Sequence, residues 1–357
     1  MPCSRYYFIS VLWGLLAFSS ISMGLSWGRY QHKPDEWFRS EEGRQTAERI
    51  LSWQAQTGSW PKNLDTASQM CNEDPETIKG TFDNRATTGE MRFMARAYRA
   101  TQDTRYLKSF IRGLDHILEA QYPTGGWPQY YPPSKYYHRH ITFNDNAMVE
   151  LMKLLDEIGH SPDYDFVTPQ RRSRAIAAYK RGIECIIKCQ IRVNGKLTVW
   201  CAQHDEIDYS PRPGRSFELV SLSGGESAGI LRLLMKQDNP SKEIIEAVLA
   251  GVQWYKDSVV QGVRARWKHG NFTVTDDPEA PPLWARFYEI ETNRPIFCDR
   301  DGIKKYNFFE IDQERSTGYA WYGRWGMGVF GDYEKWRKKW ADRLPDDLPD
   351  ISELIEK

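Results

Sequence analysis

A helix followed by a tryptophan-bearing turn recurs along the chain. The first copy closes with Gln56-Thr-Gly58-Ser-Trp60-Pro61-Lys62-Asn63, and the second with Gln121-Tyr-Pro-Thr-Gly125-Gly126-Trp127-Pro128-Gln129-Tyr130. A looser third runs Gln190-Ile-Arg-Val-Asn194-Gly195 and then Trp200-Cys201-Ala202-Gln203. Trp60 and Trp127 are 67 residues apart, and Trp127 and Trp200 are 73. That period holds about one helix pair and a loop, a unit that cannot bury its apolar face alone and so stacks on its copies.

Helical periodicity fits the unit. It predicts helices over 42–55, 87–100, 105–121, 146–158, 169–190, 223–236 and 242–259, with Ser223 and Glu226 as a capping box. From about residue 260 Trp, Arg, Pro and Gly dominate. Short strands are expected at 271–275 and 304–311, a last helix at 335–343, and a solvated acidic tail from Asp346. The expected fold is mainly α: an α/α toroid of stacked helix pairs with a small C-terminal strand and loop region, its function in long loops at one rim.

Residues 1–26 read as a secretory signal peptide, with Arg5 before an apolar run and a small-residue exit. This leaves 27–357 as a single catalytic domain, expected to be a secreted monomer with no membrane contact in its mature form. The 48 basic and 48 acidic residues balance, which argues against a general nucleic-acid binder. Beyond the leader Cys71, Cys185, Cys189, Cys201 and Cys298 remain. An odd number leaves a thiol unpaired, and Cys185 and Cys189 lack zinc-like company, so they read as buried small residues.

The polar signal lies in two helix starts, Thr81-Phe82-Asp83-Asn84 and His140-Ile-Thr-Phe-Asn144-Asp145-Asn146. Asp and Asn there can cap the free N–H groups or supply hard oxygen ligands to a cation. If the two starts converge, they make an oxygen-lined cation site. Two further loops carry arginine, Arg212-Pro-Gly-Arg215 and Cys298-Asp299-Arg300-Asp301-Gly302. Both admit a structural ion pair, Arg215 with Glu218 or Asp208 and Arg300 with its flanking aspartates. Together, cation ligands and loop arginines imply an anionic substrate, because Arg matches a carboxylate with two parallel bonds.

These residues carry a resemblance. From about Gln45 to Trp325 the chain resembles the polysaccharide lyase family 10 pectate lyases. The motifs, in order, include Gly58-Ser-Trp60-Pro-Lys-Asn63, Thr81-Phe-Asp83-Asn-Arg-Ala-Thr-Thr88, Gly125-Gly-Trp-Pro-Gln129, Ile141-Thr-Phe-Asn-Asp145, Trp200-Cys-Ala-Gln-His-Asp205, Asp299-Arg-Asp-Gly302 and Gly318-Tyr-Ala-Trp-Tyr322. The resemblance implies an α/α toroid that cleaves α-1,4-linked polygalacturonate by calcium-assisted β-elimination. It implies Arg215 as the catalytic base and Arg300, Asp83, Asn84 and Asn144 as substrate-binding. It places Asp145, Asp83 and Asn146 about Ca2+. Asn146 departs from the pattern, which often has a second Asp there, so the ligands carry one formal charge fewer.

The chemistry needs these residue types. The galacturonate C5 proton lies α to a carboxylate, so its removal spreads negative charge onto that group, and a cation with an arginine beside it stabilises the charge. Two other functions use parts of the same pattern. A glycoside hydrolase would draft Asp83 and Asp145 as its acid and base, and a pectin-binding toroid would use Trp60, Trp127 and Tyr130 as stacking platforms.

Overall fold

The computed structural model describes residues 25–355, so the predicted leader lies outside the described residues except for its last two positions. A short helix, α1 (Asp35–Arg39), comes first and lies outside the predicted set; α2 (Glu41–Ser52), α3 (Thr88–Thr101), α4 (Thr104–Ala120), α5 (Ala147–His160), α6 (Pro169–Cys189), α7 (Glu226–Leu234) and α8 (Lys242–Asp257) follow the predicted order. After them come α9 (Gln313–Gly318), α10 (Trp325–Lys339) and α11 (Ser352–Ile355). Helices α3, α5, α7 and α10 pack side by side as an inner layer, and α2, α4, α6 and α8 back them. This is the expected α/α toroid of stacked pairs.

The tryptophans explain why the pairs stack in register. Each indole N–H reaches back to a carbonyl at the end of the preceding helix: Trp60 to Ile50 at 2.8 Å, Trp127 to Ile117 at 2.8 Å and Trp200 to Ile186 at 2.7 Å. Trp284 does the same to Tyr255 at 2.8 Å, so the repeat has a fourth copy that the sequence reading missed. All four rings are fully buried, which removes Trp60 and Trp127 as stacking platforms for a ligand. A helix C-terminus leaves carbonyls without partners, and the ring both fills the core and satisfies one of them.

A glutamine locks the first three turns to the next repeat. Gln54, Gln121 and Gln190 each donate to a carbonyl of their own turn (Gly58, Gly125, Thr198) and to one of the following helix pair (Ser109, Ala178, Ala247). The equivalent residue in the first copy is therefore Gln54 rather than Gln56. Gly125 has φ +96°, and a Cβ there would lie 2.3 Å from the Arg181 carbonyl oxygen, so the turn requires glycine.

Each tryptophan carbonyl then accepts an amide from the chain entering the next inner helix. Thr81 donates to Trp60 at 2.9 Å, Thr142 to Trp127 at 3.0 Å and Ser223 to Trp200 at 2.7 Å. In the fourth copy Trp284 pairs with Gly323. Equivalent residues of successive repeats thus arrive at one rim.

The remaining strands are short and antiparallel. Ile141–Thr142, Gln203–His204 and Pro211–Arg212 form a three-stranded sheet. Val263–Lys268 and Asn271–Asp276 form a hairpin whose turn residues His269 and Gly270 both have positive φ, as a tight two-residue turn needs. The expected strand at 304–311 shrinks to Lys304–Lys305, because Asn307 accepts the Phe309 amide and starts a 3-10 turn. The helix expected at 335–343 is α10, which begins at Trp325, ten residues before its predicted start. Gly326, Gly328 and Gly331 blur its periodicity, yet Gly326 is needed, since a Cβ there would meet the Trp284 ring at 2.4 Å. The described cysteines are all unpaired, and Cys185, Cys189, Cys201 and Cys298 are buried.

Glu90, fully buried near the start of α3, accepts from the Thr66 hydroxyl at 3.1 Å, while its other oxygen has no partner. Burial pushes its carboxyl up to about 7. Between the unfolded value and about 7 the folded chain therefore holds a proton that the unfolded chain has lost. Stability falls as pH rises through that window, by about 3 kcal/mol if the whole shift is realised. Glu90→Gln is expected to raise the Tm at pH 9 and change it little at pH 4.5. Equal shifts at both values would mean that the charge is not the cause.

Candidate active site

The two polar helix starts converge. Each is a single 3-10 turn, Asp83–Arg85 and Asn144–Asn146, and the two pack together. Neither serves as a cap. Asn146 occupies the N-cap position of α5 without a side-chain bond, and the hydroxyl of Thr87, before α3, donates to the Thr81 carbonyl and accepts from the Trp60 amide. The helix amides stay uncapped by these side chains and aim their partial positive charge at the rim. Asn84, Asp145 and Asn146 have φ of 53°, 50° and 61°. Asn and Asp enter this left-handed region at the least cost among residues with a side chain, and such strain gathers at functional sites.

Asp83 is buried. Its carboxylate accepts from the Lys62 ammonium, from Gln129 Nε2 at 2.6 Å and from the Asn84 amide at 2.9 Å. Burial raises its carboxyl above the usual range against the pull of Lys62, and the negative charge of Asp145 adds to the rise. Asp145 is more open. One of its oxygens accepts from Asn144 Nδ2 at 2.8 Å and the other from Arg286 Nη2 at 3.1 Å. Asn144 Oδ1 is buried with no partner. Asn146 turns elsewhere, toward α7, where a Cβ on Gly229 would fall 1.9 Å from its side-chain oxygen. Asn84 donates to Asn63 at 3.1 Å.

The arginines stand around two aromatic rings. Arg215 donates through Nη2 to Glu218 at 2.6 Å, and its amide donates to the other Glu218 oxygen at 2.9 Å. Glu218 is buried and also accepts from the Tyr319 hydroxyl at 2.8 Å. Burial disfavours the Arg215 charge, but the Glu218 carboxylate outweighs it and holds the guanidinium above the ordinary arginine range. The expected ion pair exists, then, but as a half-buried one rather than a surface pair. Arg300 pairs with Glu314, at 3.1 and 2.9 Å, and not with its flanking aspartates. Asp299 is taken by Lys305. Arg215, Arg300 and Arg315 all lie against the Phe217 ring, at 4.7, 5.5 and 4.4 Å.

Arg286 is the main residue that sequence reasoning missed. It is largely buried, stacks on Tyr319 at 4.8 Å and bridges Asp145 and Glu226. The expected capping box does not form, because α7 starts at Glu226 after Gly225 and the Ser223 amide is taken by Trp200. Glu226 instead accepts from the Ser223 hydroxyl, and its second oxygen accepts from Arg286 at 2.6 Å. A signal was present. Lys62, Gln129 and Arg286 each stand two residues after a repeat tryptophan, so the same position of three repeats meets Asp83 or Asp145. Without the fourth tryptophan, that register could not be extended to Arg286. A separate grouping, His140, Asp205 and Glu206, brings ligand atoms within 4.8 Å of one another. Its carboxylates are already bonded to Arg139, Arg212 and His140.

The pectic acid lyase profile matches residues 54–330, a span that holds every residue of this site. The chain belongs to the pectic acid lyase family. Two solved structures are similar to the lyase over most of both chains. The family 10 polysaccharide lyase from Cellvibrio cellulosa is 36% identical, covering 88% of this chain and 98% of that one, with a TM-score of 0.76. A mutant of the Cellvibrio cellulosa family 10 lyase, in complex with trigalacturonic acid, is 37% identical over 83% and 93%, with a TM-score of 0.75. No curated protein matches. No helix among the described residues is long and apolar enough to cross a membrane.

Proposed function

We propose that this lyase cleaves polygalacturonate by calcium-assisted β-elimination, leaving an unsaturated end on the product. The observation that carries the reading is the convergence of Asp83, Asn144 and Asp145 beside Arg286, which shares the Tyr319 ring with Arg215, as Arg215 shares the Phe217 ring with Arg300. Carboxylate and amide oxygens suit a hard cation, and the arginines suit the substrate's carboxylates.

The donor set fits calcium. Asn144 Oδ1, a buried acceptor without a partner, costs free energy unless something donates to it or ligates it. Asp145 offers an accessible carboxylate beside it. Asp83 adds negative charge, partly compensated by Lys62. Asn146, turned toward Gly229, would join only by rotating its amide. When bound, calcium would withdraw electron density from the substrate carboxylate and so acidify C5–H.

The protein's own groups do the rest. Arg300, exposed beside Phe217, holds a carboxylate. Arg286, fixed by Glu226 and Tyr319, keeps Asp145 oriented. Arg215 takes the C5 proton in its neutral form, which Glu218 opposes and which surrounding positive charge and alkaline pH favour. The electron pair left at C5 forms the C4–C5 double bond as the C4–O bond breaks, and the leaving oxygen takes a proton from water. A hydrolase would need two carboxylates free for acid and base roles, whereas Asp83 is buried on Lys62, which leaves Asp145 without a partner carboxylate for the pair. Acting on an extracellular polymer also agrees with reading residues 1–26 as an export leader.

The test is ultraviolet absorbance on polygalacturonate at alkaline pH, first with calcium and then with chelator. Absorbance at the unsaturated product's band that appears with calcium and vanishes with chelator is the expected result. New reducing ends without absorbance would overturn elimination in favour of hydrolysis.

A further inference from the structure

The proposed site opens into a second space that its chemistry does not use. Between α5, α7 and α10 lies a cavity of about 450 Å³ that shares Asp145, Glu226 and Arg286 with the site. It follows α7 from its N-cap Gly225 through Ala228, Gly229 and Arg232 to Lys236, just past its end, so it runs the length of a helix of about 13 Å at 1.5 Å per residue. Gly225 and Ala228 keep this face low, while Gly229 makes room for the Asn146 side chain.

Its lining is strongly basic. Arg85, Lys153, Arg232, Lys236, Arg286 and Arg324 face only Asp145, Glu150 and Glu226. Glu150 answers Lys153 at 2.8 Å and Asp332 answers Arg232 at 2.7 Å. Among the described residues Lys236 and Arg324 have no carboxylate within ion-pair reach, and Arg286 Nε is buried without a partner. The starts of α5, α7 and α10 also open on this cavity and add the positive ends of three helices. Evolution of a surface for solubility alone does not require a concave space with this excess of one sign, which concentrates field and ligand alike.

We propose that this cavity is a subsite for additional uronate units of the same chain, with Lys236 and Arg324 holding carboxylates beyond those at Asp145 and Arg286. The inference rests on the pectate reading given above. It makes the enzyme prefer longer oligomers, because each added carboxylate finds a cation already in place and needs no rearrangement of the protein.

The experiment compares trigalacturonate and hexagalacturonate as substrates for the wild type, for Lys236→Glu and for Arg324→Ala. The expected result is a hexamer KM raised roughly tenfold, with kcat and the trimer KM unchanged, and recovery in Lys236→Arg. Equal weakening of trimer and hexamer, or no change in either, would overturn the subsite. Calorimetric binding of the two oligomers separates this from failure of the pectate reading. If the wild type releases no unsaturated product, elimination falls, yet selective loss of hexamer affinity in Lys236→Glu still upholds the cavity.

Discussion

Replacing Arg215 by alanine is expected to lower the rate of pectate cleavage by about three to four orders of magnitude, with little change in KM. Arg215→Lys is expected to fall nearly as far. The guanidinium is placed by its bond to Glu218, whose other oxygen accepts the Arg215 amide, and by the faces of Phe217 and Tyr319, and a lysine ammonium cannot reproduce that planar fit. The shape of the pH profile tests the role itself. Because Glu218 holds Arg215 charged, a rate that depends on neutral Arg215 climbs throughout the alkaline range. The competing base is His138, which is near both Lys62 and Arg215; burial and those charges push its pKa below the usual imidazole range. With His138 as base, the rate would be flat above about pH 7. A flat profile, or an Arg215→Lys variant retaining calcium-independent activity, would remove Arg215 from the proposed role.

Trp127→Ala is expected to cost about 3–5 kcal/mol from the cavity alone, and about 1 kcal/mol more from the Ile117 carbonyl left without its partner. The indole is fully buried between repeats, so neighbouring helix pairs lose both packing and register. Trp267→Ala, on the hairpin and 46% exposed, is the matched control and should cost less than about 1 kcal/mol. Urea midpoints of the two variants decide the matter. Similar losses would mean that the Trp turns are not what locks the repeats. Trp127→Phe should fall between them, since it keeps apolar volume and loses the N–H donor.

Local pattern sufficed wherever one stretch of chain contains its own cause. Apolar spacing located the pairs from α2 to α8, and the helix starts at Asp83 and Asn144 stood out because short oxygen-bearing side chains were adjacent there. It failed where the cause is distant. Helix α10 starts at Trp325 because Trp284, 41 residues earlier, packs on Gly326, a relation that no periodicity within the helix reveals.

The site divides along the same line. Sequence alone determined the residue types: carboxylates and amides at two turns, arginines at two loops, and a tryptophan repeat that makes stacked pairs. Tertiary structure alone decided who meets whom. It paired Arg215 with Glu218, Arg300 with Glu314 and Asp83 with Lys62, and it brought Arg286 to Asp145 across 141 positions of chain. The reason is physical. A side chain's chemistry is local to its residue, but its charge state and partners depend on burial and distance, and those are set by how the repeats stack.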